Sequence, residues 1–476
     1  MAKSEGAQNI RPYTMEIAQF VCNLKYQDIP LEVIQIIKRN TLDTFGCGLF
    51  GSTMPWGKII SEFVAELGDG GKASVWGKKA KAFSPNAVLA NGTMVHGFEL
   101  DDVHHGGRVH PGAACATSAL ALVEERNPVN GEEFITALVA GYEVVTRVAK
   151  VIAGSHSERG FHPQGTCGTF GAAASAGKIL RLNVEKMANA FGLAGAQSAG
   201  LHAAQFGPMA KRFHAGRAAQ SGVYAALLAE KGFTGAVDIL EKPYGGFCSA
   251  FADEFNLEIL VEKLGEVYET VKTGLKYHCG CGANHAVLDL IGSFISSQNI
   301  KSDEIEKIII KTDKGALLHV GWEYIPSEVT TAQMNLSYNV AALLLEGCCF
   351  VDQFRPDLLR DPRILNIIKN KIQIIYEPSF DKFKRQERIM DIEIEYQGTK
   401  KWKGTAVIEN FKGSVSNSLS VEETEKKFRI LAAKVIGEKK ASLLIEKINS
   451  LEKLPEVKIL GQFLIPGNVP EEASAR

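Results

Sequence analysis

Small residues recurring at helical spacing run through about the first 250 positions of this chain, and they confine that stretch to closely packed helices. Ala and Leu favour helix, and small side chains let helix axes approach one another. Leu31, Ile34, Ile37 and the run Thr41–Phe45 carry the period. The pattern predicts helices over 12–24, 30–51, 56–67, 84–98, 111–125, 131–152, 165–180, 184–205, 214–231 and 234–240. Glycines at 68, 70, 71, 154, 160 and 232 fall where helices should stop. A strand is expected here only around Ala73–Trp76.

Near residue 267 the character changes. Lys307–Thr312, Ile372–Tyr376 and Asp391–Tyr396 are short and β-branched, as strands are. Ile389–Glu395 and Trp402–Ile408 flank Gln397, Gly398 and Thr399 as the arms of a hairpin. Helices are expected between the strands, over 283–297 and 331–346, and again after Asn410, over 421–437 and 439–450. The expected fold class is therefore mainly α with an α+β second domain. Residues 1–266 would form a large helical domain and 267–410 a smaller inserted α+β domain. Residues 411–476 would pack back on the first helices, ending in a loose EEASAR tail.

A chain of 476 residues buries a large core without a disulfide or metal staple. With 53 basic and 54 acidic side chains it has no long-range field, which argues against nucleic acid or an anionic membrane as partner. Any positive field for an anionic ligand must be local. Nine cysteines at irregular spacing fit a reducing cytoplasm. The N-terminus lacks the apolar core of a signal peptide, and no apolar run reaches the ~18–20 residues that span a bilayer.

Four polar clusters interrupt the apolar pattern. From Glu99 to His110, three carboxylates, three histidines and one arginine lie between two helical stretches, with Gly106 and Gly107 permitting a tight loop. The segment supplies Asp102, His104 and His110 as acid–base or binding candidates; a solvated loop with capping Asp residues is the plainer alternative. DDVHH also offers metal ligands, but adjacent residues seldom point at one ion, and no metal is expected. In the second cluster, His162 precedes a helix N-terminus, where backbone N–H groups can hold a carboxylate; it could equally be a mere cap. The third places Lys211, Arg212, His214 and Arg217 within seven residues, a local positive patch. On a helix, three-residue spacing puts Lys211 and His214, then His214 and Arg217, on a shared face. The fourth is Lys276-Tyr-His-Cys-Gly-Cys-Gly-Ala-Asn-His285, containing Cys281, at the compositional boundary where a cleft between domains would lie. Its C-x-C spacing is unlike structural zinc sites. No dinucleotide-binding, P-loop or nucleophile-elbow motif occurs, so nicotinamide, nucleotide and hydrolase readings are weak.

In order, LDTFGCGLFGS (42–52), HGFELDDVH, VHPGA, GFHPQGTCGTFGAAA, KRFHAGRAAQSG and LKYHCGCGANHAVLD resemble the MmgE/PrpD family over nearly the whole chain. That family includes 2-methylcitrate dehydratase, cis-aconitate decarboxylase and iminodisuccinate epimerase. The resemblance implies a helical domain built from both chain ends, a homodimer, and no metal or organic cofactor. It implies a pocket with Asp102, His110, His162, Lys211 and Lys276 as catalytic residues, and a small anionic polycarboxylate as substrate. His104, His214, Arg217, Cys281 and His285 are the substrate-binding candidates beside them. Decarboxylase-like members carry Thr and His where this chain has Val103 and Cys281. The expected activity is therefore proton abstraction next to a carboxylate by a cofactor-independent lyase, of the 2-methylcitrate dehydratase kind. A dicarboxylate epimerase and an aconitate decarboxylase are the alternatives within the family. A metal-dependent hydrolase and a non-catalytic carboxylate-binding scaffold are those outside it.

Overall fold

The computed structural model describes residues 11–68, 70–126, 128–383 and 388–470. Helices α1 (Tyr13–Asn23), α2 (Leu31–Gly51) and α3 (Pro55–Glu66) open the chain. A two-residue ladder of β1 (Ala73–Ser74) and β2 (Lys81–Ala82) comes next, then α4 (Ser84–Val95). After β3 (Val103–His104) come α5 (Pro111–Glu125), α6 (Gly131–Ile152), α7 (Ser155–Glu158) and α8 (Pro163–Ile179). Next are α9 (Val184–Gly195), α10 (Ala210–Glu230), α11 (Phe247–Phe251) and α12 (Glu258–Val261). Strand β4 (Thr273–Gly274) pairs antiparallel with β3 and joins the helical part to a smaller α+β part.

The α+β part contains α13 (Gly282–Gln298), β5 (Ile305–Thr312), α14 (Lys314–Val320), α15 (Val329–Met334), α16 (Leu336–Glu346) and α17 (Pro362–Lys371). Strands β6 (Ile372–Tyr376), β7 (Ile389–Tyr396) and β8 (Lys400–Val407) complete it. The sheet order is β6-β5-β7-β8, with β5 and β6 parallel and the other pairs antiparallel. Ile308, Ile310, Ile392 and Ile394 alternate inward from β5 and β7, the period-two pattern of a sheet covered on one face. Helices α18 (Val421–Ile436), α19 (Glu438–Asn449) and α20 (Ile459–Phe463) then return to the helical part, where Phe428 packs against Gly46 of α2. The fold is mainly α with a smaller α+β part.

Helix α8 is the centre of the helical layer. All but one of its residues are buried, and α5, α6 and α10 pack on it. Two crossings decide how closely. A Cβ on Gly141 of α6 would lie 2.0 Å from Ser175 Oγ of α8. A Cβ on Gly216 of α10 would lie 2.2 Å from Leu89 O of α4. Side chains cannot occupy these sites without parting the helices.

The structure departs from the sequence pattern at particular places. The helix expected over 184–205 ends at Gly195, and residues 196–202 fold back so that Gly200 O accepts from His162 N at 3.1 Å. Residues 234–240 are irregular chain followed by a turn, stitched to α9 where Asn189 Oδ1 accepts from Gly235 N. The stretch 331–346 divides into α15 and α16 at Asn335, whose side chain accepts from Tyr338 N. Helix α17 is not among the expected helices, although Asp361 caps it and Pro362 opens it. The terminal residues 471–476 lie outside the described residues.

Gly216→Ala is expected to lower unfolding free energy by about 1–3 kcal/mol, because overpacking displaces backbone. Gly154→Ala, where nothing lies within 4 Å of the added carbon, should stay within about 0.5 kcal/mol of wild type. Urea denaturation of both variants measures the difference.

Candidate active site

The ends of α4, α5, α8 and α10 meet the segments 99–104 and 273–281 at one buried point. The close crossing of α4 and α10 brings the C-terminal end of α4, with His96 and Glu99 just beyond it, to the first turn of α10. Glu99 has φ +54°, a left-handed conformation uncommon for a residue with a side chain, and this turns its carboxylate inward. That carboxylate takes Lys211 Nζ and, at 3.1 Å, Arg212 Nη1 on Oε1; Lys276 Nζ donates to Oε2 at 3.0 Å. Arg212 is fully buried, donates to Gln333 Oε1 at 2.7 Å and lies over the Trp56 ring at 5.2 Å. Burial opposes the charge on Glu99, but the surrounding cations override it and hold its pKa well below the usual carboxylate range. Lys276 likewise loses to burial and gains more from Glu99, so its pKa is raised. Lys211 is different: burial lowers its pKa in spite of Glu99.

A file of imidazoles runs beside this ion cluster. His96 Nδ1 lies 2.8 Å from Asp101 Oδ2, and its Nε2 lies 3.4 Å from Lys211 Nζ. With Nδ1–H donating to the carboxylate, Nε2 accepts from the ammonium. His110 Nδ1 donates to Asp102 O at 2.7 Å, with Asp101 Oδ1 at 3.4 Å, so Nε2 is the ring nitrogen left for other partners. His110 also caps the α5 end, where its backbone N donates to Gln164 Oε1. His162, ahead of Pro163 at the start of α8, has Nδ1 3.0 Å from His214 Nδ1, so one of the two rings donates and the other accepts. Ring centroids of His96 and His110 are 4.6 Å apart, those of His96 and His162 5.9 Å, and those of His162 and His202 5.5 Å. Burial favours the neutral form of His96, His162, His202 and His214. It pushes His96 down to about 3 and His202 and His214 down to about 4, and with Lys211 it holds His162 well below its usual value.

Of the residues singled out in the sequence, His110, His162, His214, Lys211 and Lys276 converge. Asp102 meets His110 through its backbone carbonyl, while its carboxylate bonds other groups. Its carboxylate accepts from Gly112 N at 3.1 Å and from Tyr142 Oη at 2.8 Å, and burial together with the Asp101 charge raises its pKa to about 8. Of the Asp101 oxygens, Oδ2 bonds His96 Nδ1 and Oδ1 lies 3.4 Å from His110 Nδ1. His104 is also elsewhere: Nδ1 accepts from Gly107 N and Nε2 faces Glu269 at 3.2 Å, beside Lys150 and Lys272. Arg217 lies on the exposed side of α10 and bonds Gln220. Cys281 caps α13 with its thiol pKa pushed up by burial. His285 is buried against His278 and Phe411, and neither ring nitrogen has a hydrogen-bond partner among the described residues. His96 was not singled out in the sequence, and Glu99, Asp101 and Arg212 entered only as members of their clusters, not as individual candidates. The signal available was the third carboxylate of the ELDD run and a second cation beside Lys211.

Among the described residues, the ligand atoms of His96, Asp101 and His110 lie within 4.8 Å of one another, close enough to hold an ion. His96 Nδ1 and His110 Nδ1 are, however, already engaged by Asp101 Oδ2 and Asp102 O, with Lys211 3.4 Å from His96 Nε2. A divalent cation there would face an ammonium group, which opposes binding.

Residues 15–260 match the MmgE/PrpD N-terminal domain and residues 278–453 the MmgE/PrpD C-terminal domain. A cis-aconitate decarboxylase-like protein of Aspergillus oryzae is 28% identical, over 94% of this chain and 96% of its own length. The cis-aconitate decarboxylase of Aspergillus terreus is 26% identical over 98% of each chain. That of Homo sapiens is 27% identical over 98% of this chain and 97% of its own. Matched by the family along almost its whole length, the chain belongs to the MmgE/PrpD family.

Proposed function

We propose that this lyase of the MmgE/PrpD family is a carboxy-lyase acting on a small tricarboxylate, with cis-aconitate the first substrate to test. The observation that carries the reading is the convergence of Lys211, Arg212 and Lys276 on one buried carboxylate beside neutral histidines. The relatives from Aspergillus terreus and Homo sapiens are cis-aconitate decarboxylases, which supports the choice of substrate.

Each lysine has three N–H donors; Glu99 engages one of each, and His96 a second of Lys211. The remaining donors suit the carboxylates of a substrate. Loss of carbon dioxide leaves an electron pair on carbon that a neighbouring carboxylate can delocalise only by taking a second negative charge. Lys276 and Lys211 would stabilise that charge, in a dry site where fixed cations act most strongly. His110 or His162 would first take up a proton on Nε2 and then deliver it to carbon, with the Asp102 carbonyl oxygen holding the His110 tautomer. The balance is a tricarboxylate trianion plus one proton giving a dicarboxylate dianion and carbon dioxide. Arg217 has no part in this reaction.

Cys281 favours a second reading. Where decarboxylase-like members carry an imidazole, this chain has a buried, protonated thiol, a poor proton carrier near neutral pH. Dehydration of a hydroxy-tricarboxylate or epimerisation of a dicarboxylate would use the same cations and histidines.

A homodimer is also proposed. Met209, Phe213, Tyr224 and Leu228 are exposed large side chains on α10 and its N-cap at spacings near multiples of four, with Leu201 and Phe206 adjoining. Such a stripe fits a second copy of the chain. Sedimentation should give a dimer, and Tyr224→Glu with Leu228→Glu should shift it to monomer; an unchanged mass counts against this surface.

Carbon-13 NMR in deuterated water with cis-aconitate, citrate, methylcitrate, itaconate and iminodisuccinate tests the function. Bicarbonate release from cis-aconitate is expected. Hydration products would favour the second reading, and binding without deuterium incorporation would leave only a carboxylate-binding scaffold. Prior dialysis against a chelator should not change the rate; loss restored by zinc would favour a metal enzyme.

His162→Ala and Lys211→Ala should each lower kcat by at least ~10²-fold with the fold retained by circular dichroism. Asp101→Asn should do the same, while Asp102→Asn should keep most activity. The latter also has a signature in stability. Asp102 titrates near 8 when folded against 3.8 ordinarily, so its contribution is present at low pH and is lost as pH rises through that window. In Asp102→Asn the urea midpoint should fall less than in wild type between pH 5 and 8.

A further inference from the structure

Lys427 lies in α18, far along the chain from the site, and its side chain is 4% exposed. Its Nζ has three partners. It pairs with Asp43 Oδ1 of α2 at 2.6 Å, and donates to Leu100 O at 2.6 Å and to Lys276 O at 2.7 Å. An ammonium group has three donors, and all three are committed. The two carbonyls belong to the two segments that build the ion cluster. Leu100 stands between Glu99 and Asp101, and the other carbonyl is that of Lys276 itself. Beyond them the same segments are joined by the β3–β4 ladder, which pairs Val103 with Gly274 and His104 with Thr273. The ladder fixes one end of the contact between the segments, and Lys427 fixes the end nearest the chemistry.

We propose that Lys427 is a positioning residue that sets the separation between the Glu99–Asp101 segment and Lys276, and so aligns the Lys276 ammonium with the substrate. Its alkyl stem and Asp43 are anchored in helices of the opposite chain ends. The Lys276–Glu99 contact of 3.0 Å therefore depends on a side chain that touches neither reacting group. This inference rests on the lyase reading for its kinetic readout and on geometry for its structural one.

A merely structural role would be to neutralise Asp43. The two roles separate in a double variant. Lys427→Met alone leaves Asp43 buried and unpaired, which destabilises. Lys427→Met with Asp43→Asn removes both charges, and replacing a buried pair by neutral groups is often tolerated. The expected result is a thermal midpoint restored toward wild type, kcat still reduced by at least about tenfold, and KM changed much less. A crystal structure of the double variant should show Lys276 Nζ more than about 4 Å from Glu99, outside ion-pair distance. Wild-type kcat, or an unchanged Lys276–Glu99 contact, overturns the proposal. Should the double variant not fold, Lys427→Arg keeps the charge against Asp43 but cannot serve both carbonyls from one nitrogen, and is read in the same two ways. If the wild-type protein itself turns over none of the acids, the lyase reading fails, and the crystallographic separation alone decides the role of Lys427.

Discussion

A carboxylate and three cations taken out of water together impose the strongest constraint on this molecule. Each of Glu99, Lys211, Arg212 and Lys276 alone would be a costly buried charge. Together they are tolerable only at ion-pair distance, with the remaining donors satisfied. Arg212 meets part of that condition through Gln333 and the Trp56 ring, while its Nε has no hydrogen-bond partner among the described residues. Residues from the end of α4, the start of α10, the segment after β4 and helix α15 must therefore arrive at one place. The backbone concedes something for this: Glu99 sits in a left-handed conformation that its side chain disfavours.

Helix packing makes that arrival possible. The small residues of α4, α6, α8 and α10 let the axes approach until backbone meets backbone, as at Gly216 and Gly141. Close crossing leaves little freedom in where the helix ends fall. His162 at the start of α8, His110 at the start of α5 and Lys211 at the start of α10 are placed by those ends rather than by flexible loops. The helix starts direct their positive dipole ends toward the place where an anion would sit. Burial lowers the pKa of His96 and His162, which favours rings with a free lone pair.

Much of this was legible in the sequence. Helical periodicity located nearly every long helix, and the β-branched runs located β5, β6 and β7. The hairpin residues Gln397 and Gly398 fell between β7 and β8, with φ of +47° and +79°. Clusters of polar residues in apolar surroundings pointed to the site. What periodicity could not supply was direction. In Asp101–Asp102 one carboxylate faces the histidines and its neighbour faces Tyr142, and the sequence does not say which. His96 reads as an ordinary histidine at a helix end, because its partners Asp101 and Lys211 depend on a tight turn and on a distant helix. His104 has the composition of a site residue, yet its ring is engaged by Glu269, 165 positions away. Where 196–202 leave the helical path, the cause is again tertiary: the backbone of Gly200 pairs with that of His162.

The return of α18 to α2 has a bearing on biosynthesis. Gly46 and Asp43 lie near the beginning of the chain, and their partners Phe428 and Lys427 near its end. A growing polypeptide on the ribosome will have emitted all the helices around α8 while the groove on α2 stands open and its aspartate lacks a counter-charge. Assembly of the centre then awaits emergence of α18, since domains generally fold as units. Truncated or stalled products would expose an apolar seam, a natural target for chaperones and proteases.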